Sequence, residues 1–278
     1  MDFRTPEGSQ RYDALVAAAS TALIGLDFDG VLSTIVEDPS AAAIHPDGPG
    51  VLVDLAATVR AVAVITGRPA RQAVDLGRLD EVADTLAEPN LFVLGQYGNE
   101  RWSARTREFE APLPPEGLAG FVEALPGLLA DNDAADAFVE RKGLAVAVHT
   151  RRLPEPQAAM DRLLPVLTAA ANDRGLEVEP GRQVIEIRGP GMHKGDAVRA
   201  IRAETGADAV LFAGDDLGDI EAFKAVADIR AEGSAGLLVC SGSEEQRALV
   251  ELSDIVVDGP GGVLTLLAKF VADVRAGH

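Results

Sequence analysis

The sequence contains very little cysteine. Cys240 is the only one in 278 residues, so no intramolecular disulfide can form. Disulfide frameworks belong to oxidising compartments, and a chain that cannot form one suits a reducing compartment. With 47% hydrophobic residues, the chain can instead bury a substantial core. Its length admits either one large domain or two smaller ones.

Positive charge is also scarce. Lysine and arginine together number 25 against 44 acidic residues, which gives a formal net charge of -19 and a pI near 4.5. Lysine occurs only at positions 142, 194, 224 and 269. Since proteins bind nucleic acid mainly by neutralising its phosphates, this composition argues against a nucleic-acid partner. A small phosphate can still bind where a metal ion and a few basic groups are concentrated.

Long hydrophobic runs are missing as well. No apolar run reaches the roughly 18 residues that would span a bilayer. The first residues lack the basic start, apolar middle and small-residue cleavage site of a signal peptide. We therefore expect a cytoplasmic protein without a membrane partner. The sequence does not indicate an oligomeric state.

Short apolar runs alternate with helical stretches. The runs at 22–26, 61–65, 91–94 and 209–213 are apolar on both faces, which is typical of parallel strands covered by helices. Between about 102 and 183 the pattern changes to two helices and several strand-like runs. We predict an α/β fold with a parallel-sheet core over residues 1–101 and 184–278. Residues 102–183 are predicted to form an inserted α+β domain.

Polar residues follow several of the predicted strands. They are Asp27, Asp29, Thr66, Asp215, Asp216 and Asp219. In an open parallel sheet, ligands bind in the crevice at the carboxyl ends of the strands. Carboxylates that converge there would repel one another and take up protons unless a cation lay among them. Mg²⁺ is the natural choice, because it takes oxygen ligands and is commonly held by one or two carboxylates and a substrate phosphate. Ca²⁺ is the rival, although the turn at 215–219 lacks EF-hand spacing.

Several residues could supply donors to a phosphate in this crevice. Thr66 offers a hydroxyl, Gly67 an unhindered backbone N–H and Lys194 a compact positive charge. Each also has an ordinary structural interpretation, since Thr66 could cap a helix and Lys194 could be an exposed lysine at a helix start. Asp27 and Asp29 alone could likewise form a solvated turn. The stretch 189–195 is not a nucleotide P-loop, because no Ser or Thr follows its lysine.

Four motifs in a fixed order resemble the haloacid dehalogenase superfamily of phosphohydrolases. They are Asp27-Phe28-Asp29-Gly30-Val31-Leu32, Thr66-Gly67-Arg68, Lys194-Gly195 and Gly214-Asp215-Asp216-x-x-Asp219. The inserted domain resembles the C2-type cap of that superfamily. More narrowly, residues 95–100, 139–144, 149–151 and 214–223 are similar to trehalose-6-phosphate phosphatases. The resemblance implies a Rossmann-like catalytic core with an inserted cap.

The resemblance also implies a role for each core residue. Asp27 would attack phosphorus and form an aspartyl-phosphate, and Asp29 would act as general acid and then as general base. Thr66 and Lys194 would bind the phosphoryl oxygens, while Gly67 and Arg68 would contact the substrate. Mg²⁺ would be held by the Asp27 carboxylate, the Asp29 backbone carbonyl and Asp215. Asp216 and Asp219 would orient its waters or Lys194.

The residues that the resemblance assigns to the sugar lie mostly in the predicted cap. They are Glu100, Glu140, Lys142, His149 and Arg151. A sugar presents a ring of hydroxyl groups, so carboxylates and amides, which accept and donate hydrogen bonds, are reasonable partners for it. From the residues alone, however, Glu140 and Lys142 alternate along a strand and could form an ordinary solvated face.

The expected function is hydrolysis of trehalose 6-phosphate to trehalose and phosphate by a Mg²⁺-dependent phosphatase. The chain departs from the family at Gly218-Asp219-Ile220 for Thr-Asp-Glu, at Thr150 for an aromatic residue, at Gln96-Tyr97-Gly98 for Leu-His-Gly, and at Val31-Leu32-Ser33-Thr34 for Thr-Leu-Thr-Pro. These departures leave open the phosphate of another sugar or of a trehalose-like pseudo-disaccharide. A non-catalytic sugar-phosphate sensor is a further alternative, against which the retained core groups argue.

Overall fold

Runs of Ala, Val, Ile and Leu form a nine-stranded, mainly parallel sheet in the computed structural model, which describes residues 2–4, 6–36, 38–181, 183–191, 193–242 and 247–277. The strands are β1 (Asp2–Phe3), β2 (Ala22–Leu26), β3 (Ala61–Ile65), β4 (Leu91–Gly95), β5 (Glu100–Ser103), β6 (Phe109–Glu110), β7 (Phe138–Arg141), β8 (Ala145–His149), β9 (Glu177–Gly181), β10 (Val184–Arg188), β11 (Ala209–Gly214), β12 (Gly236–Ser241) and β13 (Ile255–Val257). The helices are α1 (Pro6–Ala17), α2 (Gly48–Ala56), α3 (Ala70–Gly77), α4 (Leu79–Thr85), α5 (Glu116–Ala130), α6 (Pro156–Asn172), α7 (Lys194–Thr205), α8 (Ile220–Ala231), α9 (Arg247–Leu252) and α10 (Gly259–Ala276). None of these described helices is long and apolar enough to cross a membrane.

The order of the strands creates a topological switch point. The large sheet runs β1-β13-β12-β11-β2-β3-β4-β5-β6, and every pair from β13 to β4 is parallel. From β2 the chain first builds outward through β3 and β4, and it later returns to place β11 on the other side of β2. Ligands bind at such a reversal, outside the carboxyl ends of the strands. The fold therefore marks the ends of β2 and β11 as the place for a site.

Both faces of the central strands are buried, which explains their continuous apolar runs. On β2 and β11, Ile24 and Leu211 belong to one hydrophobic cluster, which includes residues of α1, α2 and α10. Their neighbours Leu23 and Val210 belong to a second cluster, which includes residues of α7 and α8. Successive residues of a strand point to opposite faces. The sheet is thus the middle layer of three.

The second part of the chain has its own sheet and core. Its four strands run antiparallel in the order β7-β8-β10-β9. Val146 and Ile185 pack with α5 and α6 around Leu163, which is fully buried. On the opposite face, Glu140, Ala147, Glu186 and Glu179 lie in register across the strands. This sheet therefore has one apolar face and one polar face, on which Lys142 pairs with Glu186 and Arg188 with Glu179.

The predicted α/β architecture is confirmed, but the domain boundaries differ from the prediction. The chain divides into unit 1, Met1–Ala111 with His193–His278, and unit 2, Pro112–Met192. The predicted insert at 102–183 thus begins and ends about ten residues too early. At its start, β5 and β6 pair antiparallel with the large sheet, so they belong to unit 1. At its end, β10 pairs with β8 and belongs to unit 2.

Candidate active site

Asp27 lies at the switch point, directly after β2. Its backbone N–H donates to the Ala213 carbonyl at 3.0 Å, which ties it to the end of β11. Its Oδ1 accepts from the Phe28 N–H at 2.7 Å, and its Oδ2 lies 2.9 Å from Lys194 Nζ. The residue is only 4% exposed. Burial raises the pKa of the Asp27 carboxyl well above its usual range, and Lys194 opposes this shift.

Lys194 begins α7 and joins two carboxylates. Its Nζ donates to Asp219 Oδ1 at 2.7 Å and also contacts Asp27. Burial alone would lower the pKa of this ammonium, but the charges of Asp219 and Asp27 outweigh burial and raise the pKa well above its usual range. Lys194 is therefore a fixed cation in the crevice, and the exposed helix-start interpretation is wrong.

The turn after β11 is organised by its own acids. Asp219 Oδ2 accepts from the N–H groups of Asp215 and Asp216 at 2.9 and 3.3 Å. Asp216 Oδ1 accepts from the Gly218 N–H at 2.9 Å, so Asp216 and Asp219 form a reciprocal capping box. Since both oxygens of Asp219 are engaged within the protein, its carboxylate supports Lys194 and the turn.

Three carboxylates of the crevice, including that of Asp219, are close enough together to fit a cation. Oxygen atoms of Asp27, Asp215 and Asp219 lie within 4.8 Å of one another. Burial, followed by the charge of Asp27, raises the pKa of Asp215 to about 9. A cation among these carboxylates would favour their ionised forms. A set of oxygen donors suits a hard divalent ion such as Mg²⁺ or Ca²⁺.

Gly30 allows the first motif to approach this cluster. Its φ is +70°, and a Cβ built on it would lie 2.2 Å from Asp215 Oδ2. Buried Ser241, at the end of β12, donates its hydroxyl to the Gly30 carbonyl. Sequence reasoning missed Ser241, although it has the same signal as the others, a polar residue at the carboxyl end of an apolar strand.

The second motif forms a loop after β3. Thr66 is 1% exposed, and its Oγ1 accepts from the Arg68 N–H at 3.2 Å. Arg68 directs its guanidinium to Asp29, with Nε 2.7 Å from Oδ2 and Nη2 2.7 Å from Oδ1. Asp29 therefore turns its side chain to Arg68, and the Asp27, Asp215 and Asp219 cluster does not include it.

A strained turn after β4 holds this loop, and no residue type at these positions signals the strain in advance. Gln96 and Tyr97 both have positive φ values, 48° and 59°. The Gln96 N–H donates to the Arg68 carbonyl at 2.8 Å, and the Tyr97 N–H donates to the Thr66 carbonyl at 3.0 Å. Left-handed backbone at non-glycine residues persists only where the surroundings impose it. The departure from Leu-His-Gly thus lies in direct contact with the second motif.

The predicted sugar residues fall in different units. Glu100 lies in unit 1, where its Oε2 accepts from the Ala70 N–H at the start of α3 at 2.6 Å. The others lie in unit 2. There His149 Nε2 is 2.9 Å from Glu140 Oε2, and Lys142 pairs with Glu186. Arg151 follows β8 and is exposed.

Glu186 is a candidate that sequence reasoning missed. It is 4% exposed, and its Oε1 has no hydrogen-bond partner among the described residues. A buried carboxylate oxygen without a partner costs free energy and is rare. The available signal was a glutamate within the apolar run Val-Ile-Glu-Ile of β10.

Comparisons with known proteins relate this chain to one family. Residues 130–254 match the model of the trehalose-phosphatase family. A probable trehalose-phosphate phosphatase of Sinorhizobium fredii is 33% identical over 208 residues, which cover 72% of each chain. An uncharacterized glycosyl hydrolase of Mycobacterium tuberculosis is 33% identical over 232 residues, which cover 80% of this chain. The match spans only 17% of that longer protein.

Solved structures share the fold. A trehalose-6-phosphate phosphatase related protein matches with a TM-score of 0.69 at 22% identity, covering 92% of this chain and all of that one. The C-terminal domain of the Candida albicans trehalose-6-phosphate phosphatase reaches 0.74 at 19% identity, covering 98% of both chains. A haloacid dehalogenase-like hydrolase from Bacteroides thetaiotaomicron reaches 0.62 at 15% identity, covering 90% of this chain and 99% of that one. The predicted haloacid dehalogenase fold is therefore confirmed.

Proposed function

Because the chain belongs to the trehalose-phosphatase family of phosphoric monoester hydrolases, we propose that it hydrolyses trehalose 6-phosphate to trehalose and inorganic phosphate. The observation that carries the proposal is the environment of Asp27. Its carboxylate is buried at the switch point, held by the Phe28 N–H and Lys194, and belongs to a carboxylate cluster that could hold a cation. This arrangement suits a nucleophile for an anionic phosphate ester.

The reaction proceeds in two displacements. In the first, an Asp27 oxygen attacks phosphorus, the bond from phosphorus to the sugar oxygen breaks, and the proton of Asp29 passes to that oxygen. In the second, Asp29 takes a proton from a water molecule whose oxygen attacks phosphorus. The bond from phosphorus to Asp27 then breaks, which releases phosphate and restores both carboxyl groups.

The surrounding residues stabilise charge on the transferring group. Lys194 and the Thr66 hydroxyl bind phosphoryl oxygens, and the Gly67 N–H adds a backbone donor. Asp27, the Asp29 carbonyl and Asp215 would hold Mg²⁺, with Asp216 and Asp219 supporting them. When bound, this ion would neutralise phosphate charge and relieve the repulsion among the carboxylates.

The sugar contacts are proposed to come from Glu100, Glu140, Lys142, His149 and Arg151. The pairing of Glu140 with His149 supports a polar, hydrogen-bonding face in unit 2. Gln96, Tyr97 and Thr150 differ from the usual family residues. These differences favour a second candidate function, hydrolysis of another sugar phosphate or of a trehalose-like pseudo-disaccharide phosphate. The retained Asp27, Lys194 and Asp215 disfavour a non-catalytic sensor.

A panel of phosphate esters tests the proposal. Phosphate release would be measured with Mg²⁺ and with a chelator, on trehalose 6-phosphate, glucose 6-phosphate, a phosphorylated sugar acid and p-nitrophenyl phosphate. We expect the highest kcat/KM on trehalose 6-phosphate and no turnover with the chelator. A clear preference for another ester would replace the substrate assignment, and inactivity on every ester with Mg²⁺ would support the sensor.

A further inference from the structure

The two acids of the first motif are held by different cations. Asp27 contacts Lys194, a point charge that it shares with Asp219. Asp29 is held by the guanidinium of Arg68, which engages both of its carboxylate oxygens at 2.7 Å. A bidentate guanidinium fixes the plane of a carboxylate as well as its position, whereas an ammonium fixes only a distance.

Arg68 is itself firmly placed. It is 8% exposed, and its guanidinium lies over the Phe28 ring, 5.6 Å from the ring centroid. Its N–H donates to Thr66 Oγ1, and its carbonyl accepts from the N–H of Gln96. The Asp29 side chain, by contrast, is 36% exposed. Asp29 therefore takes its orientation from Arg68.

We propose that Arg68 is the positioning residue of Asp29, and that orienting this carboxyl group is its main contribution to the reaction. This role rests on the proposed phosphatase function and replaces direct substrate binding as the main task of Arg68. As the bond from phosphorus to the sugar oxygen breaks, the proton passes from the Asp29 carboxyl to that oxygen. Arg68 keeps its own protons and holds the carboxyl plane by one or both of its N–H groups.

Substrates with different leaving groups distinguish a positioning role of Arg68 from a phosphate-binding role. A sugar alkoxide is a poor leaving group and needs the proton that Asp29 supplies. A p-nitrophenolate is stable as an anion and needs that proton much less. The second displacement is the same for both esters, so the difference appears in kcat/KM, which reports the steps up to the loss of the leaving group. Misorientation of Asp29 therefore lowers kcat/KM more for the sugar ester than for the aryl ester. Loss of a phosphate ligand would slow both esters, because both carry the same phosphoryl group.

The test compares Arg68→Met and Arg68→Lys with the matched control Arg71→Met. Arg71 lies close by on α3, but its guanidinium packs 4.0 Å from the Phe109 ring centroid. Values of kcat and KM would be measured on trehalose 6-phosphate and p-nitrophenyl phosphate, and thermal unfolding would verify folding. For Arg68→Met we expect kcat/KM on the sugar ester to fall roughly 10- to 100-fold further than kcat/KM on the aryl ester, which is part of the roughly 100- to 10,000-fold that general acid catalysis contributes. The selective loss on the sugar ester should be smaller for Arg68→Lys than for Arg68→Met, and Arg71→Met should show no selective loss.

The Asp29→Asn background completes the test. Once Asp29 carries an amide, Arg68→Met should change the ratio of the two activities no further, because the two residues act as one unit. Equal losses of kcat/KM on both esters, or a selective loss of kcat/KM that persists in Asp29→Asn, would each overturn the role of Arg68. Those results leave the phosphatase assignment intact, whereas inactivity of the wild-type chain on both esters would overturn that assignment together with this role.

Discussion

Single residues at the switch point differ because their neighbours differ. Asp27 and Asp29 are two positions apart, yet one is buried beside an ammonium and the other is partly exposed beside a guanidinium. Burial raises the pKa of Asp27, since removing a carboxylate from water penalises its charge. The chemical difference between the two acids therefore arises from contacts made by α7 and by the loop after β3.

Replacing Asp27 with asparagine removes the nucleophilic oxygen while nearly preserving the volume of the side chain. We expect Asp27→Asn to abolish phosphate release from every ester, because an amide cannot form the aspartyl-phosphate. The fold should remain, since the amide oxygen can still accept from the Phe28 N–H. Phosphate release and circular dichroism check both points, with the exposed Asp47→Asn as the control. Normal turnover in a folded Asp27→Asn protein would refute the mechanism.

Metal binding should depend on pH through Asp215. Its pKa in the metal-free fold is raised from an ordinary value of 3.8 to about 9. A raised carboxyl pKa means that stability of the metal-free protein is present at low pH and is lost as pH rises towards 9. Mg²⁺ needs the ionised carboxylate, so its binding should release protons and strengthen as pH rises from 6 to 9.

Calorimetry in buffers of different ionisation enthalpy measures this proton release. Thermal unfolding at several pH values, with Mg²⁺ or with a chelator, provides the second measurement. Asp215→Asn should bind the ion much more weakly and with a smaller pH dependence, which the buried Asp27 carboxyl would then supply. An affinity for Mg²⁺ that is independent of pH in the wild-type protein would contradict the assignment of Asp215.

At the level of elements, the site depends on how closely strands approach helices and loops. Gly95 ends β4 directly against the start of α3, where a Cβ would lie 2.3 Å from the Ala70 nitrogen and 2.8 Å from the Arg68 carbonyl oxygen. Both of those atoms are backbone, so neither can move aside without shifting the second motif. The missing side chain of Gly95 is therefore part of the geometry of the loop that carries Thr66 and Arg68.

Two glycine substitutions should have opposite effects on stability. Gly95→Ala should lower the free energy of unfolding by about 1–3 kcal/mol, as overpacking does. Gly127→Ala should raise it by about 0.5–1 kcal/mol, because Gly127 lies in α5 with nothing within 4 Å of a built Cβ and alanine favours the helix. Chemical denaturation measures both changes. Equal effects of the two substitutions would show that close approach at Gly95 does not matter.

Apolar runs in the sequence, and the polar residues that follow them, predict part of the fold and of the candidate site. The strands 22–26 and 61–65 were predicted at their observed bounds, because strands buried on both faces must be continuously apolar. By contrast, β5 carries Glu100 and Arg101, and β6 has only two residues, so neither shows an apolar run. The pairing of Arg68 with Asp29 could not be predicted from the sequence either. The two residues are 39 positions apart, and neither residue type identifies the other as its partner.

At the level of the whole molecule, each of the two units has its own buried residues. The core of unit 2 draws its buried residues from 118–187, and the two clusters of unit 1 draw theirs from the rest of the chain. The acidic cluster of Asp27, Asp215 and Asp219 lies wholly within unit 1. Damage to one core should therefore leave the chemistry of the other unit intact.

Leu163→Ala tests this independence. Leu163 is fully buried in unit 2, so its truncation should destabilise that unit by about 2–5 kcal/mol. Hydrogen exchange should increase across 112–192, while Mg²⁺ affinity at the unit 1 cluster stays at the wild-type value. Leu113→Ala is the control, because Leu113 is 91% exposed and its loss should change stability by no more than about 0.5 kcal/mol. Loss of Mg²⁺ binding in Leu163→Ala would show that the two cores are coupled.

The interruption of unit 1 by unit 2 has a consequence for synthesis on the ribosome. Unit 2 is continuous in sequence and can fold as soon as it emerges, whereas β2 lacks its neighbour β11 until residues 209–214 have been translated. The whole insert is therefore translated after Asp27 and before Asp215 becomes available beside it. A nascent chain that stops before β11 would carry a folded insert but no catalytic centre, so truncated products should be inert rather than partly active.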